Sequence, residues 1–171
     1  MLLATLWGGL AAAALLVGFA LAARNLSNRT IGMIMGFGAG ALLSAIAYEL
    51  LPESMLGHGE GLALGFCLGA FTFFGVDWLI DRRGGADRKD IPGEQGGSGS
   101  AIFIGTLLDN IPESIILGMS LAIGGAINAA FLVAVFISNL PEGVAGTLNL
   151  QAAGRSRRDV FWMWMVLVLI S

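Results

Sequence analysis

Histidine and cysteine are nearly missing from this chain, which has one of each, His58 and Cys67, among 171 residues. A single cysteine excludes an internal disulfide, and Cys67, set among apolar neighbours, reads as a small packing residue. A single histidine, between Gly57 and Gly59 in a short loop, excludes the intramembrane histidines that metal-dependent membrane proteases need. No Gly-x-Ser-x-Gly elbow is present either, so an intramembrane hydrolase is only a remote alternative and no enzyme is expected. Charge is scarce as well. Charged residues make up 12% of the chain and hydrophobic ones 56%, a balance that excludes a soluble globular domain. The stretch from Met1 to Ala23 lacks a basic leader, so it is expected to stay as a helix rather than be cleaved.

What is present is a series of apolar stretches of membrane length, about 20 residues each. Spans are expected at about 3–23, 30–51, 61–80, 101–123 and 126–150. A sixth begins near 159 and stops at Ser171, about half a crossing. The predicted fold is therefore an all-α membrane protein, a polytopic helix bundle with five complete helices and one partial one. Four regions follow: a scaffold of three helices over 1–80, a flexible charged loop over 81–100, a helix pair over 101–150, and a loop with the partial helix over 151–171.

Basic residues are missing from every second loop. The nine are Arg24 and Arg29, then Arg82, Arg83, Arg88 and Lys89, then Arg155, Arg157 and Arg158. All fall in the first, third and fifth loops, so these are expected to be cytoplasmic, with the N-terminus outside. The net charge of −3 carries no further information about partners, and no nucleic acid is expected among them. Gly32, Gly36 and Gly40 in the second span, and Gly61, Gly65 and Gly69 in the third, are spaced for close helix packing. Glu49, Glu53 and His58 read as solvated groups near the outer interface.

No basic residue lies inside any span, yet carboxylates do. Asp109-Asn110-Ile111-Pro112-Glu113-Ser114 and Ser138-Asn139-Leu140-Pro141-Glu142-Gly143 repeat one polar phrase at an interval of 29 residues. A carboxylate at the centre of a bilayer costs about 2.5–3.5 kcal/mol or more, so such residues face a bundle interior or an aqueous cavity. On a helix, Asp109 and Asn110 stack over Glu113, and Ser138 and Asn139 over Glu142. Each proline also removes a backbone donor, freeing the carbonyls of Leu108 and Ile137 as additional oxygens. Three acids with no basic partner in the spans must bind cations or protons. Carboxylates with the amide oxygens of Asn110 and Asn139 suit a mono- or binuclear divalent-metal site.

This pattern resembles the ZIP (Zrt-/Irt-like) family of divalent-metal transporters, whose fourth helix carries His-Asn-x-Pro-Glu-Gly and whose fifth carries a related Pro-Glu sequence. Gly36-Phe37-Gly38-Ala39-Gly40 through Tyr48-Glu49-Leu50-Leu51-Pro52-Glu53 is similar to the family's second helix. The resemblance runs through about five and a half of the family's eight helices, as in a truncated member. It implies inward transport of a divalent cation through a metal site of Asp109, Asn110, Glu113, Ser138, Asn139 and Glu142. Asp109 stands where the family usually has histidine, and Leu42 where it often has methionine. Without imidazole or thioether the expected site is all oxygen, leaving Mn²⁺, Fe²⁺ and Cd²⁺ as expected substrates beside Zn²⁺. The other expected partner is the lipid bilayer, with a homodimer left open. The expected location is the bacterial inner membrane, and a non-transporting metal-binding fragment or paralogue is the alternative function.

Overall fold

Apolar segments of this length satisfy their backbone groups in a bilayer by forming helices. The computed structural model describes residues 2–24, 26–51, 59–85, 99–122 and 128–171. The described residues form six helices and no strand. They are α1 (Leu2–Leu21), α2 (Asn28–Ala45), α3 (Gly59–Ile80), α4 (Gly99–Ala122), α5 (Ala129–Ala152) and α6 (Arg157–Ile170). Five are long and apolar enough to cross a membrane. The 14 residues of α6 rise only about 21 Å, short of the roughly 30 Å hydrocarbon thickness. The protein is thus an all-α polytopic membrane protein. Pro52, Glu53, His58 and residues 86–98 of the charged loop lie outside the described residues. At the flanks of that loop, a π-helical turn continues α3 through Asp81–Gly85, and α4 has begun by Gly99.

Local chemistry sets the helix ends. Ser27 caps α2 by accepting from the Thr30 N–H at 3.1 Å, and Asn128 caps α5 through the Phe131 N–H at 3.0 Å. Ser156 and Asp159 form a reciprocal capping box on α6, the device that satisfies two orphan donors at once. Gly154 ends α5 with φ +85°, and the Arg155 N–H then reaches back to the Leu150 carbonyl at 3.0 Å. Such a left-handed turn is inexpensive only without a Cβ.

Helix α5 is the axis of the bundle, packed against α1, α2, α4 and α6. Two apolar clusters divide its length. One gathers Ala11, Ala45, Leu117, Phe131 and Val135; the other gathers Leu15, Ile102, Leu150, Trp164 and Leu167. Trp164 donates to Thr147 Oγ1 at 2.9 Å and fixes α6 against α5. The guanidinium of Arg157 lies 4.8 Å above the ring of Phe19, which joins the start of α6 to the end of α1.

The glycine spacing misled as to which helices touch. Gly36 and Gly40 on α2, and Gly61, Gly65 and Gly69 on α3, would each accept a Cβ with nothing within 4 Å. The close approaches are made by Gly8, Gly18, Gly38 and Gly143 instead. A Cβ on Gly143 would lie 2.5 Å from the Leu15 carbonyl oxygen, and one on Gly18 would lie 2.7 Å from the Val144 nitrogen, so α1 and α5 cross backbone to backbone. Helix α2 buries Ile31, Gly38 and Ala45, a seven-residue repeat. Gly36 and Gly40 are each two positions away from Gly38, about 200° round the helix, and therefore face outward.

Candidate metal centre

The two copies of the polar phrase fall near the middle of two 24-residue helices. Pro112 and Pro141 lie inside these helices rather than at their ends, so each leaves one carbonyl without its usual donor. Because α4 and α5 follow one another across a short connection, residues 29 apart meet at their mid-height crossing. Asn139 Nδ2 donates to Asn110 Oδ1 at 3.5 Å across that crossing.

The crossing sorts the six expected site residues into two groups. Asp109, Glu113, Ser138 and Glu142 line one cavity of about 420 Å³, together with Pro112 and Pro141. Asp109 Oδ2, Glu113 Oε2 and Glu142 Oε1 are shielded from solvent. The Ser138 hydroxyl donates to the Val135 carbonyl at 2.9 Å, which leaves its lone pairs available. Asn110 and Asn139 do not line this cavity. They are 3% and 1% exposed and serve the helix contacts. Asn110 Nδ2 donates to the Thr106 carbonyl at 3.0 Å, and Asn139 Nδ2 donates to the Ala11 carbonyl of α1 at 3.4 Å as well as to Asn110. Asn139 Oδ1 is buried without a hydrogen-bond partner.

Two further features were not legible in the motif. Met35 lines the cavity with Ala39, Leu42 and Ile46, spaced as one face of α2. Met35 thus adds a thioether-bearing side chain to the cavity lining, two turns from Leu42. Extending the face of Leu42 by seven residues would have found it. Phe73 closes the wall from α3. The Ile137 carbonyl, freed by Pro141, lies 3.1 Å from where a Gly38 Cβ would stand; the absence of that Cβ lets α2 lie directly against it.

Among the described residues, no group of three or more His, Cys, Asp or Glu side chains stands close enough to hold one ion. The acids share a chamber rather than a tight cluster. A chamber with carboxylate and hydroxyl oxygens and one soft sulfur can admit a hydrated divalent cation and offer it anionic ligands.

No family model matches the chain, and no solved structure matches it. Curated relatives do. The zinc transporter ZupT of Salmonella arizonae is 30% identical over 80% of this chain and 56% of its own length. The zinc transporters ZupT of Salmonella newport and Salmonella heidelberg are 29% identical over the same shares. The chain thus spans about half the length of the curated relatives it matches. The resemblance to the ZIP family is borne out by this similarity: over four fifths of its length the chain is similar to the zinc transporters ZupT.

Proposed function

We propose that this chain carries the central metal pathway of a divalent-cation transporter, with zinc as the foremost substrate and Mn²⁺, Fe²⁺ and Cd²⁺ as competitors. The observation that carries this reading is the convergence of both motif copies, through Asp109, Glu113, Ser138 and Glu142, on one cavity at the middle of α4 and α5. Zinc is favoured by the names of the relatives and by the Met35 thioether, a softer group than any oxygen. Glu113 and Glu142 are the principal charge-neutralising ligands. Ligand oxygens on one ion lie only about 3–4 Å apart, so ion entry draws the two acids together across the chamber. Asp109 and Ser138 complete the shell, while Asn110 and Asn139 hold the helices that carry it. Movement is inward by alternating access at the two proline sites, and a carboxylate that loses its metal takes up a proton. The membrane is the bacterial inner membrane.

Uptake and equilibrium binding measured side by side across Zn²⁺, Mn²⁺, Fe²⁺ and Cd²⁺ test the reading. Uptake that is saturable and suppressed by competing divalent cations supports it, and neither binding nor uptake of any of the four ends it. Binding without uptake would instead favour a metal-binding module. Asp109→His is expected to raise the preference for Zn²⁺ over Mn²⁺ by about tenfold, because imidazole is the better zinc ligand. A lowered or unchanged ratio would place residue 109 outside the metal shell.

Orientation has its own test. With the basic loops cytoplasmic, a cysteine at Ser98 stays shielded from an impermeant thiol reagent in intact cells, and one at Gly59 reacts, measured in a background where Cys67 is replaced by alanine. Reversed labelling would invert the topology.

A further inference from the structure

A second cavity, of about 530 Å³, lies between the first turns of α4 and α6, on the side of the bundle where the Arg155–Arg158 loop enters. Its polar lining is Ser100, Arg155 and Asp159, and its apolar lining includes Phe103, Trp162 and Val166. The two kinds of lining are ordered along the helices. Ser100 and Asp159 sit in the first turns of α4 and α6, Phe103 and Trp162 one turn deeper, and Val166 about 10 Å beyond Asp159 along the axis. The groove therefore runs from a charged mouth at the interface to an apolar floor inside the bilayer.

The charges at the mouth are unequal. Asp159 is engaged by Ser156, whose hydroxyl donates to Asp159 Oδ2 at 2.7 Å and whose backbone N–H reaches it at 3.3 Å. It also sits at the positive end of the α6 dipole, which offsets much of its charge. Arg157 is turned away onto Phe19. Arg155 is exposed and lines the mouth, so the net field there is positive. We infer that this groove binds one anionic phospholipid, its phosphate on Arg155 and the Ser100 hydroxyl and an acyl chain along Phe103, Trp162 and Val166. Charge complementarity selects the headgroup, and the apolar floor selects a lipid over a soluble anion. An indole at this depth suits the boundary between headgroup and chain. The inference is independent of the metal reading.

The test uses the full chain in phosphatidylcholine bilayers containing phosphatidylglycerol, with bromine on the acyl chains of one lipid at a time. The part of the tryptophan quenching that Trp162→Phe removes reports lipid at the groove. We expect brominated phosphatidylglycerol to be about fivefold more effective than brominated phosphatidylcholine, the discrimination of roughly one basic group near the surface. Arg155→Gln brings the ratio to about one, Arg155→Lys keeps most of it, and Arg158→Gln leaves it unchanged. Equal quenching by the two lipids in the unaltered chain would overturn the inference, as would an equal loss in the Arg155→Gln and Arg158→Gln variants, which denotes diffuse attraction to the loop. Reversal of the quenching by millimolar inorganic phosphate would assign the groove to a soluble anion and overturn it too.

Discussion

Glu113→Gln and Glu142→Gln should each reach the membrane at the level of the unaltered chain and lose divalent-metal binding by two orders of magnitude or more. Both acids line the central cavity and each has an oxygen shielded from solvent. Glutamine preserves volume and most hydrogen bonding while removing the charge. For folding this is neutral or favourable, because a carboxylate no longer has to be desolvated. For a bound dication it removes a counter-charge in a poorly solvated chamber. Breaking a buried charge pair on one side costs about 3–5 kcal/mol, which corresponds to about two to three and a half decades in affinity. Asp159→Gln, outside the cavity, is the control that should bind metal normally. Variants at 113 and 142 that bind and transport as the unaltered chain does would reduce the repeated phrase to a helix contact and remove the chemical basis of the transporter reading.

The second large effect concerns stability, and its sign distinguishes two kinds of glycine. Gly18→Ala should lower the thermal midpoint of the detergent-solubilised chain, whereas Gly40→Ala should leave it unchanged or raise it. Alanine is the better helix former by about 1 kcal/mol, so propensity alone favours both substitutions. At Gly18, however, the new methyl would lie 2.7 Å from the Val144 nitrogen and 2.8 Å from the Gly143 carbonyl carbon. These are backbone atoms that cannot rotate away, and overpacking of this kind costs about 1–3 kcal/mol. At Gly40 the methyl meets nothing within 4 Å. Equal midpoints for the two variants would mean that α1 and α5 do not cross backbone to backbone.

Helix number and position were legible in the sequence because hydropathy over about 20 residues depends on the bilayer, not on neighbours. Glu113 and Glu142 were legible as a pair for a related reason: a carboxylate in a membrane-length apolar span must face inward wherever the helices go. Contacts between helices were not legible. The spacing of Gly61, Gly65 and Gly69 is as suggestive as any in the chain, yet those positions are open, because spacing marks a face that could be approached and not the helix that approaches it. Gly38 contacts α5 with no glycine four residues away on its own buried face. Asn110 and Asn139 show the same limit at the site. Their types suit a ligand and an interhelical bond equally well, and only the angle of the crossing directs them toward each other. Met35 is marked in the sequence only by sharing a helix face with Leu42, seven residues away, and a face does not by itself disclose which cavity it borders.

The seams on the two sides of α5 differ in compliance. Toward α1, main chains touch at Gly18 and Gly143, and close-packed backbone resists sliding as a hard contact does. Toward α4, the mid-height crossing carries a hydrogen bond from the Asn139 amide to Asn110 Oδ1 at 3.5 Å, beyond the usual 2.7–3.2 Å range for such bonds and hence weak. A load on the bundle divides according to stiffness. If the acidic chamber opens and closes as proposed, α1 and α5 are expected to travel as one body and α4 to take up the displacement.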